Sequence, residues 1–282
     1  MSAFRYVVCD VFTDRPLTGN ALTVFTDARA IPEALLQPLA REINFSETVF
    51  VYPPAAGGHV RIRIFTPSHE LPFAGHPVLG AAFVLAAPLQ LGEIVLETGV
   101  GPIPIRLERD GARIVFGRMQ QPNPRIEPFP ATAELFAALG IDGAELPVEV
   151  YVNGPRHVCV ALASEAAVAA LRPDFGRLGR LAAATTTNCF AGAGPSWKTR
   201  AFVPGAGVPE DAATGSAAGP LACHLARHGR IAFGAEIKIA QGAEIGRPST
   251  LYARVEGRPD RVERVEVGGA AVVVARGEFR LE

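Results

Sequence analysis

The chain has 282 residues, 49% of them hydrophobic and 20% charged, and its 27 Lys and Arg residues nearly balance its 28 Asp and Glu residues. This composition excludes a disordered chain, and the absence of a basic surplus argues against nucleic acid or an acidic membrane as a partner. Because one hydrophobic core usually stops growing at about 250–300 residues, the length predicts two domains.

The cysteines and the first residues bear on where the protein resides. The opening MSAFRYVVCDVF enters a strand pattern at once and shows no export signal, and the longest apolar run, 78–87, reaches about half the length of a membrane span. Four cysteines lie far apart and form no CxxC pair: Cys9, Cys159, Cys189 and Cys223. This spacing favours reduced thiols, so we expect a cytoplasmic protein without a membrane partner.

The first half of the chain predicts short strands and two helices. Pro32 opens an amphipathic helix, and Pro38 inside it is expected to bend the helix because proline removes a backbone hydrogen bond. The apolar run VLGAAFVLAA is typical of a buried helix. Alternating or apolar stretches predict the strands FRYVVCDVF, NALTVF, FSETVFV, HVRIRIFT, EIVLET, IPIRLER and ARIVFGR.

The proline-rich stretch QQPNPRIEPFP, residues 120–130, breaks these patterns and is interpreted as a domain linker. The predicted domains are residues 1–125 and 126–267, and a last strand at 268–282 is expected to pack onto the first domain. The second half predicts helices at ATAELFAALG, SEAAVAAL and GSAAGPLACHLARHG, and strands at HVCVALA, TRAFV, STLYARV, RVERVEV and AVVVA.

One motif occurs in both halves. RIFTPSHELPFAGHPVLGAA and RAFVPGAGVPEDAATGSAAGPLA share Arg, Phe, Pro and a second Pro at one spacing, positions 63, 65, 67 and 72 against 200, 202, 204 and 209. This echo predicts a duplicated α/β unit, each copy with a strand, a small-residue loop and an apolar helix. Such a loop directs backbone N–H groups at an anion over the helix N-terminus. Two of these loops facing each other between the domains would suit a small carboxylate-bearing molecule.

The two loops also carry candidate site residues. These are Glu70 and His76 in the first loop, and Glu210, Asp211, Thr214 and Ser216 in the second. An alternative interpretation makes Asp211, Thr214 and Ser216 helix caps, which their position before an apolar helix also fits. Spacing alone leaves both interpretations open.

Glu47 in REINFSETVF interrupts an apolar face. In a strand over 45–51, Phe45, Glu47, Val49 and Val51 share one face. On one interpretation, Glu47 points to solvent from an edge strand. On the other, an apolar cleft holds the carboxyl group for proton transfer.

Two further patterns partly match cofactor sites. His224 and His228 have the spacing of a zinc pair, but the Glu of HExxH is missing and Gly229 ends the helix, so we interpret them as a solvated helix end. The glycines of FAGAGPSW and ATGSAAG match neither a dinucleotide-binding nor a phosphate-binding loop. We therefore expect neither a metal nor a nucleotide cofactor.

Several segments together resemble the PhzF family of phenazine-biosynthesis isomerases, which has the diaminopimelate epimerase-like fold. They run from residue 19 to residue 249: GNALTVF, REINFSETVFV, IRIFTPSHELPFAGHP, NGPRHVCV, NCFAGAG, EDAATGSAAGPLACHLARHG and QGAEIGRPS. The resemblance implies a mixed α/β (α+β) fold of two similar domains, each a curled, mostly antiparallel sheet around a central helix. It also implies a site in the cleft between the domains and a homodimer.

The resemblance further implies roles for residues at matching positions. Glu47 is expected to be the general base and acid, with Asp211 and His76 binding and polarising the substrate. Racemases of this fold place a catalytic Cys in each loop where this chain has Ala74 and Ala212, which leaves Glu47 as the proton carrier. The implied substrate-binding positions are Ser46, Gly75, Thr214, Gly215 and Ser216.

The activity implied by the resemblance is a cofactor-independent isomerisation. It moves a proton between carbons of a small cyclic amino acid, trans-2,3-dihydro-3-hydroxyanthranilate, and gives the enol that becomes the ketone. Three alternatives stay open: an epimerase or isomerase of the same fold that acts on another amino acid, a metabolite-binding relative without turnover, and a structural or interaction protein. Glu47, His76 and Asp211 together argue against binding alone, because binding a zwitterion does not require all three.

Overall fold

The computed structural model describes residues 2–181 and 185–281, and the chain divides into two units. The first unit comprises Met1–Gln120 and Gly268–Glu282, and the second comprises Gln121–Val267. The second unit therefore begins before the predicted boundary at residue 126. Among the described residues, no helix has both the length and the apolar character needed to cross a membrane.

The helices and strands follow one another along the chain with short connections. The helices are α1 (Glu33–Ile43), α2 (Gly75–Leu89), α3 (Thr132–Leu139), α4 (Glu165–Ala170), α5 (Phe175–Leu181) and α6 (Gly215–Arg227). Strands β1 to β9 are Ser2–Val11, Asn20–Phe25, Glu47–Tyr52, Val60–Phe65, Glu70–Leu71, Glu93–Thr98, Gly101–Asp110, Arg113–Gln121 and Arg125–Pro128. Strands β10 to β18 are Glu149–Val152, Arg156–Ala161, Thr185–Ala193, Ser196–Val203, Val208–Asp211, Glu236–Gln241, Ser249–Arg258, Arg261–Gly269 and Ala271–Leu281.

The first unit is a mixed sheet that curls around α2. Its strand order is β18-β1-β2-β3-β4-β6-β7-β8, and β5 adds to β4. The pairs β2–β3 and β4–β6 are parallel and the others are antiparallel. Because α2 contacts β18 and β1 near one end of this order and β6 and β7 near the other, the sheet wraps around the helix.

Two helices cover the two faces of this sheet for different reasons. The α2 sequence is apolar on all sides, and a helix of that kind is stable only when it is buried all round. By contrast, α1 is amphipathic and buries Leu36 and Leu39 on the outer face. There they join a cluster with Phe25 and Phe50, whose rings stack with centroids 5.0 Å apart.

The second unit repeats this arrangement around α6. Its strand order is β9-β10-β11-β12-β13-β15-β16, β14 adds to β13, and the parallel pairs are β11–β12 and β13–β15. Helices α3, α4 and α5 cover the outer face through Leu135, Val168 and Leu178. From β10 to β16 the order of parallel and antiparallel pairs matches that from β1 to β7, so the predicted duplication is confirmed.

The shared motif makes the same contacts in both units. Arg63 binds both carboxylate oxygens of Glu70 at 2.7 Å, and Arg200 binds both of Glu210 at 2.9 and 2.7 Å. Each guanidinium also lies over the Phe two residues later, 5.2 Å from the Phe65 ring centroid in the first unit and 5.0 Å from the corresponding ring in the second. The loop carboxylates Glu70 and Glu210 therefore anchor the strands β4–β5 and β13–β14.

The structure corrects several predicted elements. The proposed linker contains β9, which pairs with β10, and β3 begins at Glu47 rather than at Phe45. The elements that were not predicted are β5, β9, β10, α5, β12, β14, β15 and the 3₁₀ helices Pro204–Ala206 and Ala243–Ile245. Of these, β15 could have been predicted from the sequence. Polar and apolar residues alternate along most of EIKIAQ, and in the structure every second residue of this strand is buried.

The two Arg–Glu pairs differ in burial, which predicts different contributions to stability. The side chains of Arg200 and Glu210 are 7% and 6% exposed, against 23% and 40% for Arg63 and Glu70. We expect Arg200→Gln to lower the free energy of unfolding by about 3–5 kcal/mol, because it leaves a buried carboxylate unpaired. The matched variant Arg63→Gln should cost about 1 kcal/mol or less. Urea unfolding of both variants checks this, and equal losses would contradict it.

Candidate active site

Four polar side chains of the first unit meet at the N-terminus of α2. Ser46 Oγ donates a hydrogen bond to Asn20 Oδ1 at 2.9 Å, and Asn20 Nδ2 lies 3.2 Å from Nδ1 of His76. On the other side of the ring, His76 Nε2 lies 3.5 Å from Oε2 of Glu47. The structure therefore brings together the predicted residues Ser46, Glu47 and His76, and it adds Asn20, which the sequence analysis missed.

Glu47 lies on an interior strand. The chain leaves α1 through Asn44, whose left-handed backbone (φ 57°) turns it towards β3. β3 pairs with β2 on one side, where Leu22 is the partner of Glu47, and with β4 on the other. The interpretation of Glu47 as a solvent-facing edge residue is therefore wrong, and its side chain is only 13% exposed. Phe45 precedes the strand, so Val49 rather than Phe45 is its neighbour on the same face.

Asn20 reaches this cluster because of the glycine before it. Gly19 has φ +69°, and a Cβ at this position would collide with the carbonyl of Val11 and the side chain of Thr13. Glycine alone accepts both the left-handed backbone and the close approach. The turn starts β2 at Asn20, and the parallel pairing of β2 with β3 places Asn20 beside Ser46.

His76 is neutral although it lies within ion-pair distance of a carboxyl group. Burial lowers the pKa of His76 to about 3, and its side chain is 3% exposed. The contact with Glu47 at neutral pH is therefore a polar contact to an uncharged imidazole. A neutral imidazole donates from one ring nitrogen and accepts at the other, so this ring is able to orient or polarise a ligand without carrying charge.

Both central helices begin with a glycine and a predicted site residue. Gly75 and His76 open α2, and Gly215 and Ser216 open α6. The residue that precedes each helix makes no side-chain cap hydrogen bond. Since the first N–H groups of a helix lack partners within the helix, each start is suited to an anionic or carbonyl oxygen of a ligand.

Asp211 and Thr214 form the corresponding polar group in the second unit. Thr214 Oγ1 donates to Asp211 Oδ2 at 2.7 Å, and both residues are buried. Thr214 occupies the position before α6, but its hydroxyl holds Asp211 instead of capping the helix. Ser216 lies inside the helix. The helix-cap interpretation is therefore wrong for Thr214 and Ser216.

Gln241 holds this loop and was missed by the sequence analysis. Its Oε1 accepts the N–H of Thr214 at 3.1 Å, while its Nε2 donates to the carbonyl of Asp211 at 2.8 Å and to Thr214 Oγ1 at 3.0 Å. The next residue, Gly242, has φ +79°, and a Cβ there would meet the carbonyl of Ala212. The segment QGAEIGRPS is thus a support for the Asp211 loop, and its Gln-Gly pair is the signal that could have identified it.

Gln121 and Asn153 support the start of α6. Gln121 Nε2 donates to the carbonyl of Gly215 at 2.8 Å, and Asn153 Nδ2 donates to the carbonyl of Ser216 at 2.9 Å. Both side chains are buried. Asn153 opens the NGPRH motif, so this motif positions the first turn of the helix.

Comparison with known proteins now identifies the family. The family model described as phenazine biosynthesis-like protein, PhzC-PhzF, matches residues 9–277. The chain belongs to the PhzF family. The trans-2,3-dihydro-3-hydroxyanthranilate isomerase of Pseudomonas aeruginosa is 53% identical to it over 98% of this chain and 99% of the relative.

Solved structures agree with the predicted fold class. A PhzF family protein from Bacillus anthracis superposes with a TM-score of 0.84 at 24% identity and covers 100% of both chains. A hydroxyproline epimerase from Agrobacterium vitis has a TM-score of 0.68 at 10% identity, with 98% of this chain and 92% of that chain covered. At these identities the likeness shows the fold, and it confirms the prediction of a diaminopimelate epimerase-like architecture.

The cysteines of this PhzF family chain lie outside the two loops that lead into α2 and α6. Ala74 precedes α2 and Ala212 follows Asp211, so neither loop has a thiol at those positions. All four cysteines are free and buried, and burial raises the pKa of each thiol. Burial therefore favours the protonated thiol in all four, and such a thiol is poorly suited to act as a base.

The histidine pair on α6 belongs to a buried polar cluster. The interpretation as a solvated helix end is wrong for His224, which is fully buried. Glu149, His224 and His228 each present a possible ligand atom, all within 4.8 Å of one another. However, Arg227 donates to Glu149 Oε2 and to the hydroxyl of Tyr151, each at 2.8 Å. Burial favours the neutral acid, but hydrogen bonds from the histidines and Tyr151 and the charge of Arg227 hold the pKa of Glu149 well below its usual range. The Glu149 carboxylate is therefore already paired with a cation, the guanidinium of Arg227.

A cavity of about 620 Å³ lies in the first unit, and the Glu47–His76 cluster of that unit does not line it. It is lined by residues that include Arg61, Glu70, Pro72 and Glu97. The Glu97 carboxylate accepts three backbone N–H groups from the segment 55–58, so it serves to hold that loop. We assign this cavity no part in proton transfer.

Replacement of Gln241 by Glu tests the support of the Asp211 loop. The variant keeps the shape of the side chain but replaces the Nε2 donor with an acceptor that faces the carbonyl of Asp211. We expect the free energy of unfolding to fall by about 2–4 kcal/mol, because buried polar groups lose their partner. Gln37→Glu is the matched control: its amide also donates to a carbonyl, that of Thr66 at 2.8 Å, but it is half-buried, and it should cost about 1 kcal/mol. Equal losses in urea unfolding would contradict the assignment.

The buried histidines predict how stability depends on pH. Burial lowers the pKa of His76 and of His157 to about 3 in the folded chain. An unfolded His titrates near pH 6.5, so below about that pH the unfolded chain binds more protons, and stability is lost progressively as pH falls towards 3. We expect His157→Gln to show a shallower loss of unfolding free energy between about pH 7.5 and pH 5. Cys159→Ser, on the same strand, should be destabilised with an unchanged slope, and an equal slope in both variants would contradict the prediction.

Proposed function

We propose that this chain is a trans-2,3-dihydro-3-hydroxyanthranilate isomerase of phenazine biosynthesis that acts without a cofactor. The observation that carries the proposal is the placement of Glu47, a largely buried carboxyl group on an interior strand, 3.5 Å from a neutral imidazole. The choice of substrate is supported by the relative from P. aeruginosa with this name, which is 53% identical over nearly the whole chain.

The proposed reaction needs one proton to leave a ring carbon and one to be added to another. In this mechanism, Glu47 takes the proton from the carbon that carries the hydroxyl group, and that carbon becomes part of an enol. The same carboxyl group then returns the proton to a different ring carbon, which leaves the enol. The enol becomes the ketone when its hydroxyl proton is lost and a ring carbon gains a proton, so no atom is gained or lost overall. One carboxyl group that alternates between its ionised and protonated forms is sufficient for the transfer between carbons.

The remaining site residues are assigned to binding. Asp211 and His76 bind and polarise the reacting portion of the substrate, which is an ammonium and hydroxyl-bearing ring carrying a carboxylate. The first N–H groups of the central helices, which lack partners within the helix, suit its oxygen atoms. The proposed substrate-binding positions are Ser46, Gly75, Thr214, Gly215 and Ser216. Thr214 acts by holding the carboxylate of Asp211.

We also propose a cytoplasmic homodimer. The location is supported by the four free, buried cysteines, which suit a reducing compartment. The assembly is supported by the family resemblance of the sequence. Light scattering on the purified protein tests it, and the mass of a monomer would contradict it.

Turnover of the named substrate is the direct test of the function. The purified protein is mixed with trans-2,3-dihydro-3-hydroxyanthranilate, and the absorbance of the conjugated ring is followed. We expect the initial rate of the absorbance change to be proportional to the enzyme concentration. If the folded protein binds this compound without converting it, the substrate assignment is wrong. It is also wrong if the protein does not convert this compound but converts another amino acid.

Glu47→Gln separates binding from chemistry. The amide keeps the size of the side chain but cannot accept a proton from carbon, and general acid–base catalysis contributes about 10²–10⁴ in rate. We expect kcat to fall by at least about 10³ while substrate affinity, measured by calorimetry, changes by less than about tenfold. Glu70→Gln is the matched control, because Glu70 is held by Arg63 and lies outside the cluster. It should keep kcat within about threefold, and a Glu47→Gln variant within tenfold of wild type would remove Glu47 from the mechanism.

A further inference from the structure

A chain of contacts leads from Ser46 through Asn20 to the ring of His76 and ends at Glu47. Ser46 Oγ donates to Asn20 Oδ1, the Asn20 amide nitrogen lies 3.2 Å from His76 Nδ1, and His76 Nε2 lies 3.5 Å from Glu47 Oε2. Asn20 and His76 are buried at 4% and 2% exposure. Within a buried chain of this kind, each donor must face an acceptor, so the hydrogen positions of the members depend on one another.

The amide of Asn20 determines which nitrogen of His76 carries the hydrogen. Its oxygen accepts from Ser46, so its NH₂ group faces the ring, and Nδ1 must then be an acceptor. A neutral imidazole has only one N–H, which is therefore on Nε2. The reverse arrangement would direct the Nε2 lone pair at an oxygen of Glu47, and an ionised carboxylate would repel it. The contact with Asn20 and the contact with Glu47 thus favour the same tautomer of His76.

We propose that Asn20 is a positioning residue that fixes His76 as the Nε2–H tautomer, so that the ring presents a hydrogen-bond donor to Glu47 and to the reacting part of the substrate. This inference rests on the proposed function, because it gives the donor a use in proton transfer. While Glu47 is ionised, the Nε2–H group lies 3.5 Å from an oxygen of its carboxylate. When Glu47 has taken the proton, the same donor is available to the oxygen that gains charge as the enol forms.

The fold explains why asparagine suits this position. The parallel register of β2 and β3 pairs Leu22 with Glu47, so Asn20 and Leu22, two residues apart, lie on the same face of the sheet as Glu47. Gly19 sets the turn that starts the strand there. An aspartate would have the same shape, but it offers only acceptors. It would require a hydrogen on Nδ1 and would produce either the other tautomer or the imidazolium.

Asn20→Asp is therefore the decisive variant. The first measurement is the ¹⁵N NMR signal of the His76 ring at neutral pH, assigned by comparison with His76→Gln. Wild type should show a hydrogen on Nε2 alone, and Asn20→Asp should show one on Nδ1. A wild-type ring with its hydrogen on Nδ1 would overturn the proposal, and this readout does not depend on any substrate.

The second measurement is kinetic. In a serine protease, a wrong His tautomer costs about 10⁴ in kcat. We expect Asn20→Asp to lower kcat by about 10²–10⁴ with KM changed less than about tenfold. Ser46→Ala should lower kcat less, because the Asn20 amide then loses only the hydroxyl that donates to its oxygen. Asn123→Asp controls for the substitution type, because Asn123 is exposed and bonds only to the backbone carbonyls of Val262 and Glu263 among the contacts described. It should keep kcat within about twofold.

The outcomes separate this inference from the proposed function. If wild type fails to convert the substrate while its ring shows the Nε2–H tautomer, the proposed function fails and the positioning role of Asn20 stands. If wild type is active and Asn20→Asp keeps kcat within about threefold, the positioning role is wrong. If Asn20→Asp does not fold, Ser46→Ala decides: an unchanged ring signal together with unchanged kcat would overturn the proposal.

Discussion

The burial of one apolar helix inside a curled sheet is the constraint on which each unit depends. α2 and α6 are apolar over most of their surface, and such helices are stable only if strands close around them. The sheets supply this enclosure through the same order of parallel and antiparallel pairs in both units. The polar N–H groups at each helix start then need partners at one defined place, and there the chain puts Gly75 and His76 in one unit and Gly215 and Ser216 in the other.

The loops that lead into these helices are held by a repeated ion pair. In each copy an Arg on the strand binds the Glu that follows the turn and lies over a Phe of its own strand. The copies have diverged in burial, since Arg200 also donates to the carbonyl of Leu171 at 2.8 Å and is almost inaccessible, whereas Arg63 shares its charge with the exposed Glu33. The same four-residue pattern therefore gives a buried anchor in one unit and a half-exposed one in the other.

The polar groups described in the two units differ in their chemistry. The first presents a carboxyl group beside an imidazole that burial keeps neutral, which suits proton transfer to and from carbon. The second presents Asp211, whose carboxylate is fixed by Thr214 while Gln241 holds the surrounding backbone. Alanine stands at both positions where racemases of this fold carry thiols, and the four thiols of the chain are buried elsewhere, which supports the proposal that Glu47 carries the proton.

The sequence alone determined the elements with strong periodicity and the duplication, and it selected the main candidate site residues. Alternation placed Glu47 on the same face as Val49, the Arg-Phe-Pro-Pro echo revealed the repeat, and motif resemblance selected His76 and Asp211. The tertiary structure decided what depends on strand register and on contacts between distant residues. Asn20 contacts His76, which is 56 positions later in the sequence, and Gln241 contacts Thr214, which is 27 positions earlier. It also decided the burial of His224, whose partner Glu149 lies 75 positions earlier. Local periodicity specifies which face a side chain occupies, but hydrogen bonds between distant residues form only when sheet pairing has placed their backbones side by side.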